Sequence, residues 1–503
     1  MGEASVTIEK MCNGGAGLGR VQGKACFVPY TAPGDQARIR VVKEKRSYME
    51  GELLELESPS PLRVVPPCPF FGVCGGCNWQ HLPYQEQLKQ KGEIFADTLS
   101  RIGRLQADHL LPVAGSVKQY GYRSRIQLKL GRTKGAPAFG FFRTGSHDVI
   151  DIGGVGCAIA DPLLNRISEE FRALLGRLPD LESIPQIDLA IGDDAQGIAI
   201  VHFTGKSPAK LTERLLAARS GLPSVSGLFL RSGAKARIER IFGVDSLSYR
   251  IPAGLFAGPH PHPVPPLEGE GTLGHLSLQG ERTPGHLSLE GEGTPGHLPL
   301  EPSPGLRLTS QGGGREGDGV TGSREMTLRF GRGGFSQVNY LQNLELIRTV
   351  WQWGGFTGAE RVLDLYCGNG NISVPIAPYV AELIGVEGYA PSIEDAVANA
   401  AANGVSNAFF QVSDASLAVR RFAQQGERFD LVILDPPRGG AEAAGEIAQL
   451  EAEKIIYVSC DSATLSRDLA LLCDRGYRVT RSQPVDMFPQ TYHLESVTEL
   501  IRR

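Results

Sequence analysis

At 503 residues the chain is too long for one domain, and two to four are expected. With 41% hydrophobic and 21% charged residues it has the composition of an ordinary globular protein, and neither an apolar run of roughly 18 residues nor a basic-then-apolar leader is present. A cytoplasmic protein is therefore expected. The net charge of −4 hides a segregation, because residues 81–145 hold eleven Lys and Arg against four acids while 258–323 hold three against eight.

Residues 1–58 read as short alternating strands with Gly-rich turns ("VTIEKM", "GRVQGKACFVPY", "DQARIRVVKEKRSYMEGELLEL"), the pattern of a small antiparallel barrel. Such barrels often hold single-stranded nucleic acid. Residues 59–257 read as a central α+β domain. It opens on "CPFFGVCGGCNWQHLPYQEQLKQKGEIF", a C-x5-C-x2-C loop followed by a helix from near Pro83. Nine cysteines without an export signal favour metal binding or catalysis over disulfides. Cys68, Cys74 and Cys77 sit on a tight loop among Pro and Gly, and Cys157 in "DIGGVGCAIAD" is a fourth candidate thiolate. Four thiolates suit tetrahedral zinc or an iron–sulfur cluster, and spacing leaves both open. The basic stretch 81–145, which includes Arg123 and Arg125 of "GYRSR", is the footprint expected of a phosphate backbone.

From 258 to 323 the character changes. "GHLSLQGERTP", "GHLSLEGEGTP" and "GHLPLEPSP" repeat with a period of eleven, rich in Gly, Pro and Glu. Too little apolar surface is available for a core, so a disordered insertion without function is expected. From 324 to 503 apolar strands ("RVLDLYC", "ELIGVEGY", "FFQVSDA", "FDLVILDPPR", "KIIYVSCD", "RVTRSQPVDMF") alternate with helical stretches, which predicts a doubly wound parallel sheet.

The first of these strands ends in the Gly-containing turn "LYCGNGN", where backbone approaches a nucleotide-like ligand. Glu387, nineteen residues after Gly368, is placed to accept from ribose hydroxyls, and Asp414 to meet an adenine amino group. Asp435 follows the fourth strand in "LDPPR". The G-x-G-x-x-G of a dinucleotide dehydrogenase is absent, so S-adenosylmethionine is the expected cofactor. Cys460 ends the fifth strand in "YVSCDSATLSRDL". A core cysteine would fit there too, but methylation at C5 of a pyrimidine needs such a thiol. Addition at C6 makes C5 nucleophilic, and a base must then remove the C5 proton. Glu495, on a strand next to the fifth, supplies that base.

With "CPFFGVCGGC", "GYRSR", "FSQVN", "LYCGNGN", "DPPRGG", "SCDSATLSRDL" and "DMFPQTYHLE", the chain resembles the RNA uracil-5-methyltransferases over nearly its whole length outside 258–323. The nearest resemblance is to the bacterial 23S ribosomal RNA enzymes with an iron–sulfur cluster and an amino-terminal TRAM barrel. The resemblance implies Cys460 as nucleophile and Glu495 as proton acceptor. It implies cofactor contacts at Gln337, Tyr366, Asn371, Glu387 and Asp414, with Asp435 at the junction of cofactor and uracil. It places Phe335 near the flipped base, and Arg123 and Arg125 on the substrate. It makes Cys68, Cys74, Cys77 and Cys157 ligands of a [4Fe-4S] cluster. Cys367 belongs to the cofactor loop and Cys473 to a helix core. Where relatives read "GYRNR" this chain has Ser124, and the insertion before "FSQVN" could disturb the strand feeding Gln337. RNA is the expected partner of a monomer with no obligate protein partner. Ribosomal RNA leads over the T-loop of transfer RNA. An RNA chaperone with impaired catalysis and a cytosine C5 methyltransferase are the remaining alternatives.

Overall fold

The computed structural model describes residues 2–103, 105, 109–133, 136–176, 181–233, 237–257, 324–331, 334 and 336–503. The repeats expected to form an insertion at 258–323 lie outside the described residues, as does Phe335.

Five strands, β1 (Glu3–Met11), β2 (Gly17–Val21), β3 (Lys24–Val28), β4 (Gln36–Glu44) and β5 (Tyr48–Ser58), close a barrel in the order β1-β2-β3-β5-β4. Period-2 alternation drives it: Val6, Ile8, Val21, Val28, Ile39 and Met49 point inward and are almost fully buried. The cysteine loop follows, then helix α1 (Tyr84–Gly103).

A seven-stranded mixed sheet comes next, from β6 (Arg125–Thr133), β7 (Ala136–Phe142), β8 (Val149–Asp151), β9 (Gln186–Ile191), β10 (Gly197–Phe203), β11 (Gly227–Ser232) and β12 (Arg237–Gly243). Its order is β12-β11-β10-β9-β6-β7-β8. Helices α2 (Pro162–Leu175) and α3 (Pro208–Ala217) cover one face, burying Phe171 and Leu215 against Val201 and Phe203. Alternate residues Ile198 and Ile200 face the other way. There they meet a two-stranded ribbon of β13 (Ser246–Ile251) and β14 (Met326–Gly331). The ribbon therefore joins the central sheet to the carboxyl-terminal one.

In that ribbon Ile251 lies opposite Met326. The two ends flanking 258–323 are thus already paired, and loop closure costs only about 0.6 kcal/mol per doubling of length. Replacing Pro261–Gly319 with a short Gly/Ser linker should leave Tm and methylation nearly unchanged, which calorimetry and an RNA methylation assay would check. A deletion that abolishes RNA binding would make the repeats a functional element.

The carboxyl-terminal sheet has the order β17-β16-β15-β18-β19-β21-β20. Its strands are β15 (Arg361–Leu365), β16 (Glu382–Glu387), β17 (Ala408–Val412), β18 (Leu431–Leu434), β19 (Lys454–Ser459), β20 (Tyr477–Val485) and β21 (Glu495–Arg502). The first five run parallel, and β21 is antiparallel to β19 and β20. Helix α4 (Tyr340–Gly354) packs on one face through Leu346, Val350 and Trp353. Helices α5 (Ser373–Ile376) and α6 (Ala390–Ala402) pack toward the ribbon, and on the other face lie α7 (Ala415–Gln424), α8 (Ala444–Ile447) and α9 (Ser462–Asp474). The strand order reverses between β15 and β18, and at such a switch point the loops leave a crevice at the strands' carboxyl ends.

Helix α1 sits in this last core and not on the central sheet with which residues 59–257 group it in sequence. Phe95 and Leu99 are 1% exposed among the α7, α9 and strand side chains. Lys91 Nζ, also buried, donates to Asp486 at 2.5 Å and to the Phe488 carbonyl at 3.1 Å. Removing one partner of such a pair costs about 3–5 kcal/mol, so this tie holds α1 to the segment before Glu495. Among the described residues no helix is long and apolar enough to cross a membrane.

Candidate active site

The crevice at the switch point is built from strand ends. Beyond β15, Tyr366 adopts a left-handed φ of 66°, and its N–H and that of Cys367 both donate to the Val386 carbonyl. Gly368 and Gly370 follow with positive φ, so the loop turns tightly toward the crevice. A Cβ on Gly370 would lie 2.7 Å from the Val374 side chain. Asn371 is held by Tyr249 Oη, which donates to Oδ1 at 2.7 Å, and by a reciprocal amide pair with Asn343. Glu387 ends β16, with one carboxylate oxygen accepting from the Tyr389 N–H. Asp414 caps α7, accepting from the Leu417 N–H at 3.0 Å through one carboxylate oxygen. Asp435 follows β18, anchored by its N–H to the Leu365 carbonyl. Burial pushes its carboxyl up to about 7.

The thiol lies one strand further. Ser459 pairs with Ser496 at the end of the β19–β21 ladder, and Cys460 and Glu495 are the residues that follow and precede that pair, close enough for the Glu495 charge to act on the thiol. Glu495 is 4% exposed. Burial, reinforced by the charge of Asp435 and opposed by Arg438, holds its carboxyl well above the usual range. Cys460 is half-buried. Burial first, then the charges of Glu495 and Asp435, push its thiol up to about 12, again against Arg438. The resting site therefore holds an un-ionised thiol beside two proton-hungry carboxyls.

Cys460 opens onto two adjoining cavities of about 40 and 320 Å³ that share Asn13, Asp461, Tyr492 and His493. The larger reaches the lower end of small-ligand pocket volumes. His493 stacks on Tyr492 at 4.2 Å, and burial lowers its imidazole to about 4, so it presents a neutral ring. Arg438 was legible as part of "DPPRGG" but carries no periodic signal that assigns it a role. Asn13, from the barrel, had no signal at all.

Not every expected residue converges on this point. Gln337 lines a separate cavity of about 470 Å³ with Tyr122, Tyr340 and Asn343, beside the cofactor loop. Ser124 holds the Gln337 segment: its N–H donates to the Val338 carbonyl at 2.8 Å and its hydroxyl to the carbonyls of Gln337 and Val338. Arg125 donates to the Gly334 carbonyl at 2.8 Å and lies against Asp188, away from the thiol. Arg123 lies near Cys157 and His493, where its charge lowers both, and its Nε is buried without a partner among the described residues.

Cys68, Cys74, Cys77 and Cys157 form one neighbourhood. Burial, with the charge of the others added, raises Cys74 to about 11 and Cys77 to about 12. Burial also raises Cys157, with Cys68 adding to it. Among the described residues no group of three or more His, Cys, Asp or Glu closes around a centre of metal-ion size.

Asp364, on β15 beneath the cofactor loop, was missed. It is 1% exposed, bonded to the Ser373 hydroxyl, and raised by burial to about 7. Folded protein holds this proton where unfolded protein has lost it. The stability it contributes is present below the ordinary carboxyl range and lost as pH rises to about 7. Asp364→Asn should therefore gain Tm relative to the wild type, by a few degrees, between pH 5 and pH 8. A Tm difference that does not change with pH would overturn this assignment.

The fold and the loops at its switch point are those of a class I, S-adenosylmethionine-dependent methyltransferase. Residues 319–503 match the family described as tRNA (Uracil-5-)-methyltransferase, and residues 3–54 match the TRAM domain. An uncharacterized RNA methyltransferase of Thermosynechococcus vestitus is 33% identical over 98% of this chain and 96% of its own. The 23S rRNA (uracil(1939)-C(5))-methyltransferase of Nitrosococcus oceani is 30% identical over 98% and 94%. The chain belongs to the RNA uracil-5-methyltransferase family. Its fold is also that of the Pyrococcus abyssi tRNA (uracil-54, C5)-methyltransferase, solved with S-adenosyl-L-homocysteine: TM-score 0.64, 21% identity, 99% of this chain and 100% of that one.

Proposed function

We infer that the protein methylates C5 of a uridine in 23S ribosomal RNA, with Cys460 as nucleophile and Glu495 as base. The observation that carries this reading is the thiol at the end of β19 and the buried carboxyl at the start of β21, each within reach of the charge of Asp435. The Cys460 thiol gives its proton to water as Sγ bonds to C6 of the uracil, and the electron pair of the C5=C6 bond moves toward O4. S-adenosylmethionine supplies the electrophilic methyl group that C5 takes up. Glu495 must be ionised at this point, with the charge of Arg438 favouring that form, and the buried carboxylate is then a strong acceptor that removes the C5 proton. The C6–Sγ bond breaks as C5=C6 re-forms, and Cys460 is regenerated. Arg438 is the cation that offsets negative charge on the thiolate and carboxylate. Tyr366, Asn371, Glu387, Asp414 and Gln337 bind the cofactor, Asp435 orients it against the base, and Arg123 contacts RNA.

Ribosomal RNA leads because full-length relatives carry that name. The family match at 319–503, described by transfer RNA, favours the T-loop as the second reading. Mass spectrometry of both RNAs from a strain lacking the protein tests the two. Loss of 5-methyluridine from ribosomal RNA is expected. Loss from transfer RNA alone would select the second reading, and loss of 5-methylcytidine would overturn both.

The same reading gives Cys68, Cys74, Cys77 and Cys157 an iron–sulfur cluster. Four grouped thiols are the donor set a [4Fe-4S] cluster takes. Because each thiolate meets a different iron, such a cluster spaces its ligands more widely than a single ion does. Protein purified without oxygen should be brown and contain iron and sulfide, and Cys74→Ser should lose both. Stoichiometric zinc in a colourless, active preparation would overturn the assignment.

A further inference from the structure

The turn between β1 and β2 leaves the barrel and forms part of the wall around Cys460: Asn13 lines both cavities and Gly14 the larger. This turn is fixed in place. The Gly15 carbonyl accepts from Nε1 of the fully buried Trp79 at 3.0 Å. Gly15 has φ +84°, and a Cβ there would lie 2.8 Å from the Tyr492 ring. Asn78 completes the clamp. Its N–H donates to the Gln490 carbonyl and its side-chain oxygen accepts from the Tyr492 N–H at 3.0 Å. One buried segment thus locks the barrel turn to the loop that leads into Glu495. Within this rigid frame Asn13 is exposed, and its carboxamide has no partner among the described residues.

Resting on the functional reading above, we propose that Asn13 is a substrate-binding residue, whose carboxamide hydrogen-bonds the flipped target nucleotide in the Cys460 pocket. An amide offers one acceptor and two donors, which suits the alternating carbonyl and imide groups of a uracil edge. The barrel then contributes to the reaction centre and is more than a distant tether. The charges on its β4–β5 face are already spent on each other, as in Lys43–Glu50 at 2.6 Å and Arg38–Glu55 at 2.6 Å.

The test compares wild type, Asn13→Ala and Lys43→Ala, as full-length protein, on an RNA substrate whose 5-methyluridine is quantified. Asn13→Ala should lower kcat/KM about tenfold, the order of one lost hydrogen bond to a desolvated base. Its S-adenosylmethionine affinity and Tm should match the wild type. The salt dependence of RNA binding should also be unchanged, because no phosphate contact is lost. Lys43→Ala should retain wild-type kcat/KM. Wild-type kcat/KM in Asn13→Ala overturns the proposal, and so does a fall accompanied by loss of cofactor binding or Tm. If Lys43→Ala alone is impaired, the barrel acts as a tether. Wild-type protein that makes no 5-methyluridine overturns the functional reading, and this one with it.

Discussion

Cys460→Ala should lose 5-methyluridine formation by at least about 10³-fold while binding S-adenosylmethionine as the wild type does. The sulfur lines the pocket that Asn13 and Arg438 share, whereas residues proposed to hold the cofactor end or follow β15, β16 and β17. It is also only half-buried, so its removal opens little cavity and should cost about 1 kcal/mol of stability or less. The chemical step has no such tolerance. No other described cysteine lines the pocket, and without addition at C6 the C5 carbon has no electron pair to offer. Calorimetry with the cofactor and nucleoside analysis of the RNA separate the two effects. Near-normal product from this variant would rule Cys460 out as the nucleophile.

Glu495→Gln should fail at a later point and leave a visible trace. Gln is close in shape to the protonated carboxyl that burial favours there, so the packing of β21 against β19 should survive. Addition by Cys460 and methylation at C5 can still proceed, but the C5 proton has no acceptor and the C6–Sγ bond cannot break. A covalent protein–RNA complex should then accumulate and persist on a denaturing gel. Continued product formation without a complex would pass the base role to another carboxyl. Asp435 is the first candidate, because it too is raised, to about 7, beside the thiol.

Much of this site was legible in the chain. The apolar runs of β15, β16, β18 and β19 are short, β-branched and bounded by turn residues, so the parallel sheet and its carboxyl-terminal edge could be read directly. Once the sheet is assumed, residues just past each strand share one edge, which is why Tyr366, Glu387, Asp414, Asp435 and Cys460 could be grouped before any coordinates. Period-2 alternation likewise announced the barrel.

Other features depend on contacts that no local pattern encodes. The apolar stripe of α1 requires that Phe95 and Leu99 be buried but does not say against what, and the answer is α9 and the last sheet. Arg125 reads as one of a basic pair, yet its partner is the carbonyl of Gly334, on a segment 209 residues away. Asn13 and Cys460 line one cavity because Trp79 and Asn78 bind the barrel turn and the 490–492 loop together. The proton affinities of Cys460, Glu495 and Asp435 come from burial and from one another's charge, quantities that exist only once the strands are side by side. Sequence by itself determined which strands form and which residues end them, because backbone conformation and amphipathic period are set by near neighbours. Tertiary packing decided which of those ends share a pocket and how tightly each holds its proton, because desolvation and charge act through space.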